Sequence, residues 1–285
     1  MGRLIRVTAP AKVNLYLGVS PRTERGKHLA TSLMAGLSLH DTVTIQETKE
    51  PSLTCTPDAP CPQAQNLAWR AAEAMAETFR RRLKVSIVLD KRIPSEAGLG
   101  GGSSDAAAVI RGLCTLWGKD PLGPDAQEVA RSLGADVPFF LTGGETLLLG
   151  GYGDVPERSF ECPELAMALV RAPGPGAPTK ECYRAFDEEP RQAAPLEPLV
   201  SALEALDAPA VIAATANNLT EAAERCCPAV GEAFAWLATQ PRVVKPLLCG
   251  SGSCVAALCA CDEDAAAVAA AARSQGWWSE AVRTL

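Results

Sequence analysis

The 285-residue sequence is 47% hydrophobic and 21% charged, a globular balance that excludes extended disorder, and its length predicts two domains rather than one core. A net charge of −6 offers no basic footprint, so neither nucleic acid nor an anionic membrane is expected as a partner. No apolar run nears the roughly 20 residues that span a bilayer, and "MGRLIRVTAP" lacks a signal-peptide core, which predicts a soluble, cytoplasmic protein.

The first part alternates as sheet does. "RLIRVTAP", "KVNLYLGV" and "HDTVTIQE" carry apolar residues at spacing two and are bounded by Pro, Gly or charges, which predicts three strands. A helix is expected from Asn66 to Arg82, with Leu67, Ala71, Ala74, Met75 and Phe79 on one face, and "LKVSIVLDK" reads as the next strand. "SSDAAAVIRGLCTLWG" has a helical pattern, with Ser103 or Ser104 placed to cap it and Gly118 near its stop. "PDAQEVARSLG" predicts another helix, and "ETLLLGG" and "ELAMALVRAP" predict strands.

The segment "RAPGPGAPT", with Pro or Gly at five of nine positions, marks a candidate domain junction. Alanine-rich helix follows to about Thr239. The chain then closes with strands "RVVKPLLCG" and "SCVAALCAC", helix "DEDAAAVAAAARSQG" and strand "WWSEAVRTL". That order predicts an α+β sandwich, two helices over an antiparallel sheet. The eleven cysteines are odd in number and mostly lie among alanines and leucines, the pattern of buried thiols rather than a disulfide set. With no CxxC and only two histidines, no zinc site is expected.

The stretch "PSEAGLGGGSSDAAAV", Pro94 to Val109, carries the chemistry. It is not a Walker A loop, because no lysine follows Gly102, and not a dinucleotide fingerprint, because "RIPSEA" separates Gly98 from the preceding strand. What remains is a run of small residues that leads straight into a helix. Such a backbone approaches a ligand closely, and the N–H groups at the helix start attract an anion, so Gly98 to Ser104 predict a phosphate cradle. A second small-residue loop, "CGSGSCVA", lies between two apolar strands. It reads either as a hairpin turn or as a second wall of one ligand site, with Gly250, Ser251 and Gly252 as its candidate contacts.

Together "APAKVNLYLGV", "PSEAGLGGGSSDAAA" and "LLCGSGSCVA" resemble, in order and spacing, the three motifs of the GHMP kinases, a superfamily that includes galactokinase and the homoserine, mevalonate and phosphomevalonate kinases. "LGADVPFFLTGG" and the closing "GWWSEAV" look most like the branch that phosphorylates a cytidine diphosphate-linked methylerythritol in non-mevalonate isoprenoid synthesis. The resemblance implies a two-domain α+β fold, with a ribosomal-protein-S5-like N-terminal domain over 1–162, a ferredoxin-like C-terminal domain over 163–285, and the active site in the cleft between them. It implies ATP as donor with Mg²⁺ on its phosphates and a small-molecule acceptor; the chain is expected to be a monomer or weak homodimer, and nothing in the sequence selects between the two.

By the same resemblance, Asp136 accepts the proton of the substrate hydroxyl and Lys12 is the lysine paired with it. As unaided readings, Asp136 is a helix cap and Lys12 a surface charge. Asn14 matches an asparagine beside the substrate hydroxyl. Asn66 matches one near the adenine or serves as a helix N-cap, and Lys91 matches the run beside the adenosine. Pro94, Gly98, Leu99, Gly100, Gly101, Gly102, Ser103 and Ser104 fall on the motif that wraps the triphosphate, with phosphate, magnesium or capping roles open to the serines. At the acceptor end the family reads Gly-Tyr-His; here "RGKHL" keeps Gly26 and His28 and has Lys27 in place of the tyrosine. Tyr183 aligns with an aromatic of the family's cytosine site, or is a helix anchor. Another GHMP kinase acceptor and a non-catalytic nucleotide-binding paralogue are the alternative readings.

Overall fold

The computed structural model describes residues 2–23, 26–57 and 61–285. Strand β1 runs Leu4–Arg22, straight through Pro10, where the sequence pattern suggests a boundary. Proline's fixed φ lies within the extended region, so it interrupts a donor but not the strand. Strand β2, His28–Glu47, is also longer than its alternating end predicts. Its first half is buried almost continuously and so shows no period of two. Strand β3, Ser52–Thr56, is short and polar and carries no pattern at all.

Helix α1, Leu67–Thr78, buries Ala68, Trp69, Ala71, Ala72, Met75 and Ala76, a face rotated slightly from the expected one. Strand β4, Val85–Asp90, is followed by helices α2, Gly101–Trp117, α3, Pro124–Leu133, and the short α4, Val137–Leu141. Then come β5, Thr146–Gly150, β6, Val155–Phe160, and β7, Ala166–Arg171. The helical stretch resolves into α5, Thr179–Glu188, α6, Glu197–Glu204, and α7, Ala208–Ala214, then, after the two-residue β8, Ala216–Asn217, α8, Thr220–Cys226, and α9, Pro228–Leu237. Strands β9, Val243–Leu248, and β10, Val255–Cys259, helix α10, Asp262–Ser274, and strand β11, Trp278–Arg283, complete the chain as expected.

The chain forms two compact units that interleave in sequence. The first comprises the chain through Ala11, Leu39–Ser95 and Gly100–Gly144. Within it β4 pairs antiparallel with the end of β2, from Thr42 opposite Asp90 to Glu47 opposite Val85, and β3 joins β4 in parallel, the two linked through α1. Helix α2 lies against these strands at Gly112, where a Cβ would stand 2.5 Å from Ile45 Cδ1 and 3.3 Å from Val7 Cγ2. Met75, Ile110, Phe139 and Phe140 are fully buried there, with the two phenylalanine rings edge to face at 4.9 Å.

The second unit comprises Lys12–Ser38, Glu96–Leu99 and Glu145–Leu285, and the Pro/Gly-rich segment 171–179 lies within it between β7 and α5. Its antiparallel sheet is ordered β11-β7-β10-β9, and alternate residues of those strands, such as Ala168, Val170, Val255 and Ala257, pack on a core with Phe186, Val230, Leu237, Val268 and Ala269. This is the predicted helices-over-sheet arrangement. The unit also holds the pairing of Ser32 with Leu149 between β2 and β5, and of Tyr16 with Ala216 between β1 and β8. All eleven cysteines are free thiols. Among the described residues no helix is long and apolar enough to cross a membrane.

Candidate active site

The glycine stretch is strapped in place rather than slack. Leu99 O accepts the N–H of Lys12 at 3.0 Å, Ala97 O that of Cys254 at 3.2 Å, and Glu96 O that of Ser253 at 3.2 Å, so residues 96–99 lie between β1 and the turn that joins β9 to β10. Gly98, at φ +74°, leaves no room for a side chain, since a Cβ there would stand 1.8 Å from Cys249 O. Both the positive φ and the contact require glycine. The small-residue loops 96–99 and 249–254 are thus two faces of one backbone contact, which a linker would not make.

One residue beyond Leu99, helix α2 begins. Its N-cap is Gly100, left-handed at φ 73°, and Ser104 N donates to Gly100 O at 2.9 Å. This corrects the expectation that Ser103 or Ser104 caps the helix. Glycine needs no side-chain oxygen to make the turn, so the helix starts earlier and both serines fall within its first turns. The first N–H groups of a helix have no partner within it, and its dipole makes that end positive. Gly101, Gly102 and Ser103 therefore present backbone donors suited to phosphate oxygens. Ser104 Oγ is buried there without a hydrogen-bond partner among the described residues.

In the second unit, polar side chains predicted from separate positions form one buried chain. Lys12 Nζ donates to Asn14 Oδ1 at 2.6 Å, Asn14 Nδ2 donates to Ser32 Oγ at 2.8 Å, and Ser32 Oγ donates to Tyr16 O at 3.4 Å. Lys12 is 4% exposed, which overturns its reading as a surface charge. A buried ammonium must be answered by acceptors, and the alternation of β1 puts Lys12 and Asn14 on one face. Gly250 lies against it, for a Cβ at that glycine would come within 3.2 Å of Lys12 Nζ. Asn217 Nδ2 fixes this turn by donating to Leu248 O and Gly250 O at 3.0 and 2.7 Å, and Ser251 Oγ meets Thr179 Oγ1 at 3.0 Å. Gly252 N closes the turn onto Cys249 O at 2.8 Å. Sequence reasoning missed Ser32 and Asn217, which lie in no motif.

His28 and Tyr183 come together in the same unit, with ring centroids 5.1 Å apart, and Phe186 stands edge-on to His28 at 6.1 Å. His28 Nδ1 is 2.9 Å from Ser20 O; since a carbonyl only accepts, Nδ1 carries the proton of that bond. Its other nitrogen, Nε2, faces Asp187 Oδ1 at 3.3 Å. Tyr183 is thus a half-buried residue of α5 that packs against the second unit's core, as a helix anchor does, and whose ring also meets a histidine. Lys27 is exposed, and its ammonium lies 5.0 Å from the centre of the Tyr152 ring.

In the first unit, Asn66 caps α1, its side chain accepting from Ala68 N at 2.9 Å. Asp136 stands half-buried at the N-cap position of α4, before Pro138 as its reading as a cap has it, but makes no side-chain capping bond. Pro94 follows Ile93, whose N–H is held by Asp41. Lys91 is engaged by two carboxylates that sequence reasoning did not single out: Asp41 Oδ2 and, at 2.5 Å, Asp105 Oδ2. Burial pushes the ammonium's pKa down, but the two carboxylates together outweigh it and the net shift is upward. For Asp105 burial dominates; it outweighs the attraction of Lys91, the Asp41 charge adds to it, and the pKa rises to about 7.

Comparison with known proteins bears on what such an arrangement does. Residues 66–144 match the GHMP kinases N-terminal domain and residues 199–276 match the GHMP kinases C-terminal domain. The chain is 37% identical to 4-diphosphocytidyl-2-C-methyl-D-erythritol kinase of Pelotomaculum thermopropionicum, over 94% of this chain and 93% of the relative. To the enzyme of that name from Mycobacterium tuberculosis it is 35% identical, over 90% and 82%. A crystal structure of 4-(cytidine 5'-diphospho)-2C-methyl-D-erythritol kinase superimposes with a TM-score of 0.82 at 34% identity, covering 98% of this chain and 99% of that one. Homoserine kinase from Cytophaga hutchinsonii superimposes with a TM-score of 0.71 at 17% identity, over 100% and 95%, a likeness of fold.

Two outcomes follow from the geometry. Gly98→Ala forces a Cβ onto a backbone oxygen at a left-handed φ, and unfolding by denaturant should show a loss of about 2–5 kcal/mol; a loss below about 0.5 kcal/mol would mean that the contact yields freely. Asp105, with a folded pKa of about 7, holds a proton in the fold that the unfolded carboxyl, near 3.9, has released. Its contribution to stability therefore falls as pH rises from about 4 to about 7 and is flat above, by up to about 1.4 kcal/mol per pH unit. The unfolding free energy of the wild type minus that of Asp105→Asn, measured from pH 5 to 8, should show this downward slope; a rising or level difference would contradict it.

Proposed function

The chain belongs to the GHMP kinases, and on that footing we propose that it transfers the γ-phosphoryl group of ATP to the 2-hydroxyl of 4-diphosphocytidyl-2-C-methyl-D-erythritol, a step of non-mevalonate isoprenoid precursor synthesis. The observation that carries the acceptor is the near full-length likeness to kinases of that name at 34–37% identity, about twice the identity to the homoserine kinase of the same fold. The family's two domains are assigned to 1–162 and 163–285, supported by one matched segment falling in each.

In this reading the backbone donors of Gly101, Gly102 and Ser103 bind phosphate oxygens of ATP, and Gly98 to Gly100 let the chain come close to them. Asn66 and Lys91 belong to the nucleotide side, and Pro94 and Leu99 shape the loop. Mg²⁺ takes hard oxygen donors, and Ser104 Oγ, one of two buried oxygens at this helix end without a partner among the described residues, beside Asp105 Oδ1, fits it. When bound, the ion supplies charge neutralisation to the transferring phosphoryl group.

Asp136 accepts the proton of the acceptor hydroxyl. Phosphoryl transfer has a loose transition state, so an ordinary carboxylate suffices when it is well placed, and positioning matters more than basicity. Lys12 contributes a fixed positive charge, and Asn14 holds its ammonium in one direction. On the acceptor side Gly250, Ser251 and Gly252 form a wall, while His28 and Tyr183 offer an aromatic pair to the cytosine. Lys27, parked over Tyr152, offers a cation to the diphosphate. The free thiols support a reducing, cytoplasmic setting.

Asp136→Asn keeps the shape of the side chain and removes the proton acceptor. Steady-state turnover with ATP and the cytidyl acceptor should fall by roughly 10²–10⁴, with the thermal midpoint unchanged. Wild-type turnover in the variant would remove Asp136 from the chemistry, and wild-type protein that phosphorylates homoserine or mevalonate but not the cytidyl compound would overturn the acceptor.

A further inference from the structure

Lys91 is one of the residues the family resemblance places beside the nucleotide, yet its ammonium is turned inward. It bonds both Asp41 and Asp105, of which Asp41 is fully buried and Asp105 3% exposed. The other oxygen of Asp41, Oδ1, accepts the backbone N–H of Arg92 at 2.5 Å and of Ile93 at 2.8 Å, which ties the segment after β4 to β2. A Cβ built on Gly101, the first residue of α2, would lie 3.0 Å from Ile93 Cγ2 and 3.5 Å from Lys91 Nζ. Asp105 is one turn further along α2, and helical side chains lean toward the N-terminus, so its carboxylate reaches back to the same ammonium. Two buried carboxylates and the half-buried ammonium of Lys91 thus bracket the start of the helix assigned above to phosphate.

We propose that Asp41, Lys91 and Asp105 form a positioning bracket for the phosphate loop, and that Lys91 acts on bound phosphates through the start of α2 rather than by touching the adenosine. The inference rests on the reading that this helix end receives the phosphates of ATP, and is independent of which alcohol accepts the group. Two effects make the bracket matter. Donors at an anion site gain most when they are fixed before the ligand arrives, and a displacement of about 1 Å can cost 10²-fold. A carboxylate one turn from those donors also repels a triphosphate unless a cation compensates it, and Lys91 does so.

The bracket is tested by titrating the full chain, without acceptor, with ATP and separately with inorganic tripolyphosphate, which has the phosphates but no base. Lys91→Met should weaken both by the same factor, roughly tenfold or more, while the KM of the acceptor stays within about twofold. Because this variant leaves two buried carboxylates facing each other, Lys91→Met/Asp105→Asn is measured beside it. That double variant leaves one buried carboxylate, Asp41, and so the same net charge as the ionised triad, and should bind both ligands more weakly than wild type but more tightly than Lys91→Met. Weakening confined to ATP would make Lys91 a base contact and overturn the proposal, as would wild-type affinity in the double variant. A wild-type chain that binds neither ligand would overturn the kinase reading along with it.

Discussion

At residue 98 a carbonyl oxygen of another segment fills the space that a side chain would need. This contact governs the second unit, because it lets residues 96–99 run between Lys12 and Cys254 and hydrogen-bond both ways. The ammonium of Lys12 and the turn at Gly250 then lie against each other through the same strap. A single added methyl group at 98 meets backbone rather than a side chain that could swing aside, so the whole arrangement shifts or it does not form. Immediately afterwards the left-handed Gly100 starts α2, and the free backbone donors of its first turn follow from it.

Buried charge is the second theme. Lys12 is 4% exposed and donates to the amide oxygen of Asn14, whose own amide N–H donates to Ser32. Lys91 is answered by two carboxylates, so its charge is consumed locally and its work is mechanical. Burying charge is costly unless partners are well placed, and unpaired partners cost more than the pair contributes.

Much of this was legible in the sequence, for identifiable reasons. A glycine run that fits neither a Walker loop nor a dinucleotide pattern reads as a close-approach backbone, and what Gly98 approaches is the carbonyl of Cys249. The later elements, from β9 to β11, followed from apolar runs flanking an alanine-rich helix. What escaped notice lacked a local signal. The first half of β2 is buried on both faces and does not alternate, and β3 is polar. The start of α2 was sought at a serine because capping rules reward side-chain oxygens, whereas the chain turns on glycine. Asp105 did leave a trace, a lone acid on an alanine face that helical periodicity buries, and such an acid needs a cation. Asp41 and Ser32 left none, since their partners come from distant segments.

The account stands or falls on where the phosphate goes. In 4-diphosphocytidyl-2-C-methyl-D-erythritol the 2-carbon carries the methyl group and no hydrogen, so a phosphate on the 2-hydroxyl shows no three-bond coupling to a proton on its own carbon, whereas esters of the other hydroxyls do. Proton-coupled phosphorus NMR of the product formed by purified protein, ATP and this acceptor reads that difference directly. The account predicts an uncoupled phosphomonoester resonance appearing in step with ADP. A coupled resonance, or ADP released with inorganic phosphate alone, would contradict it.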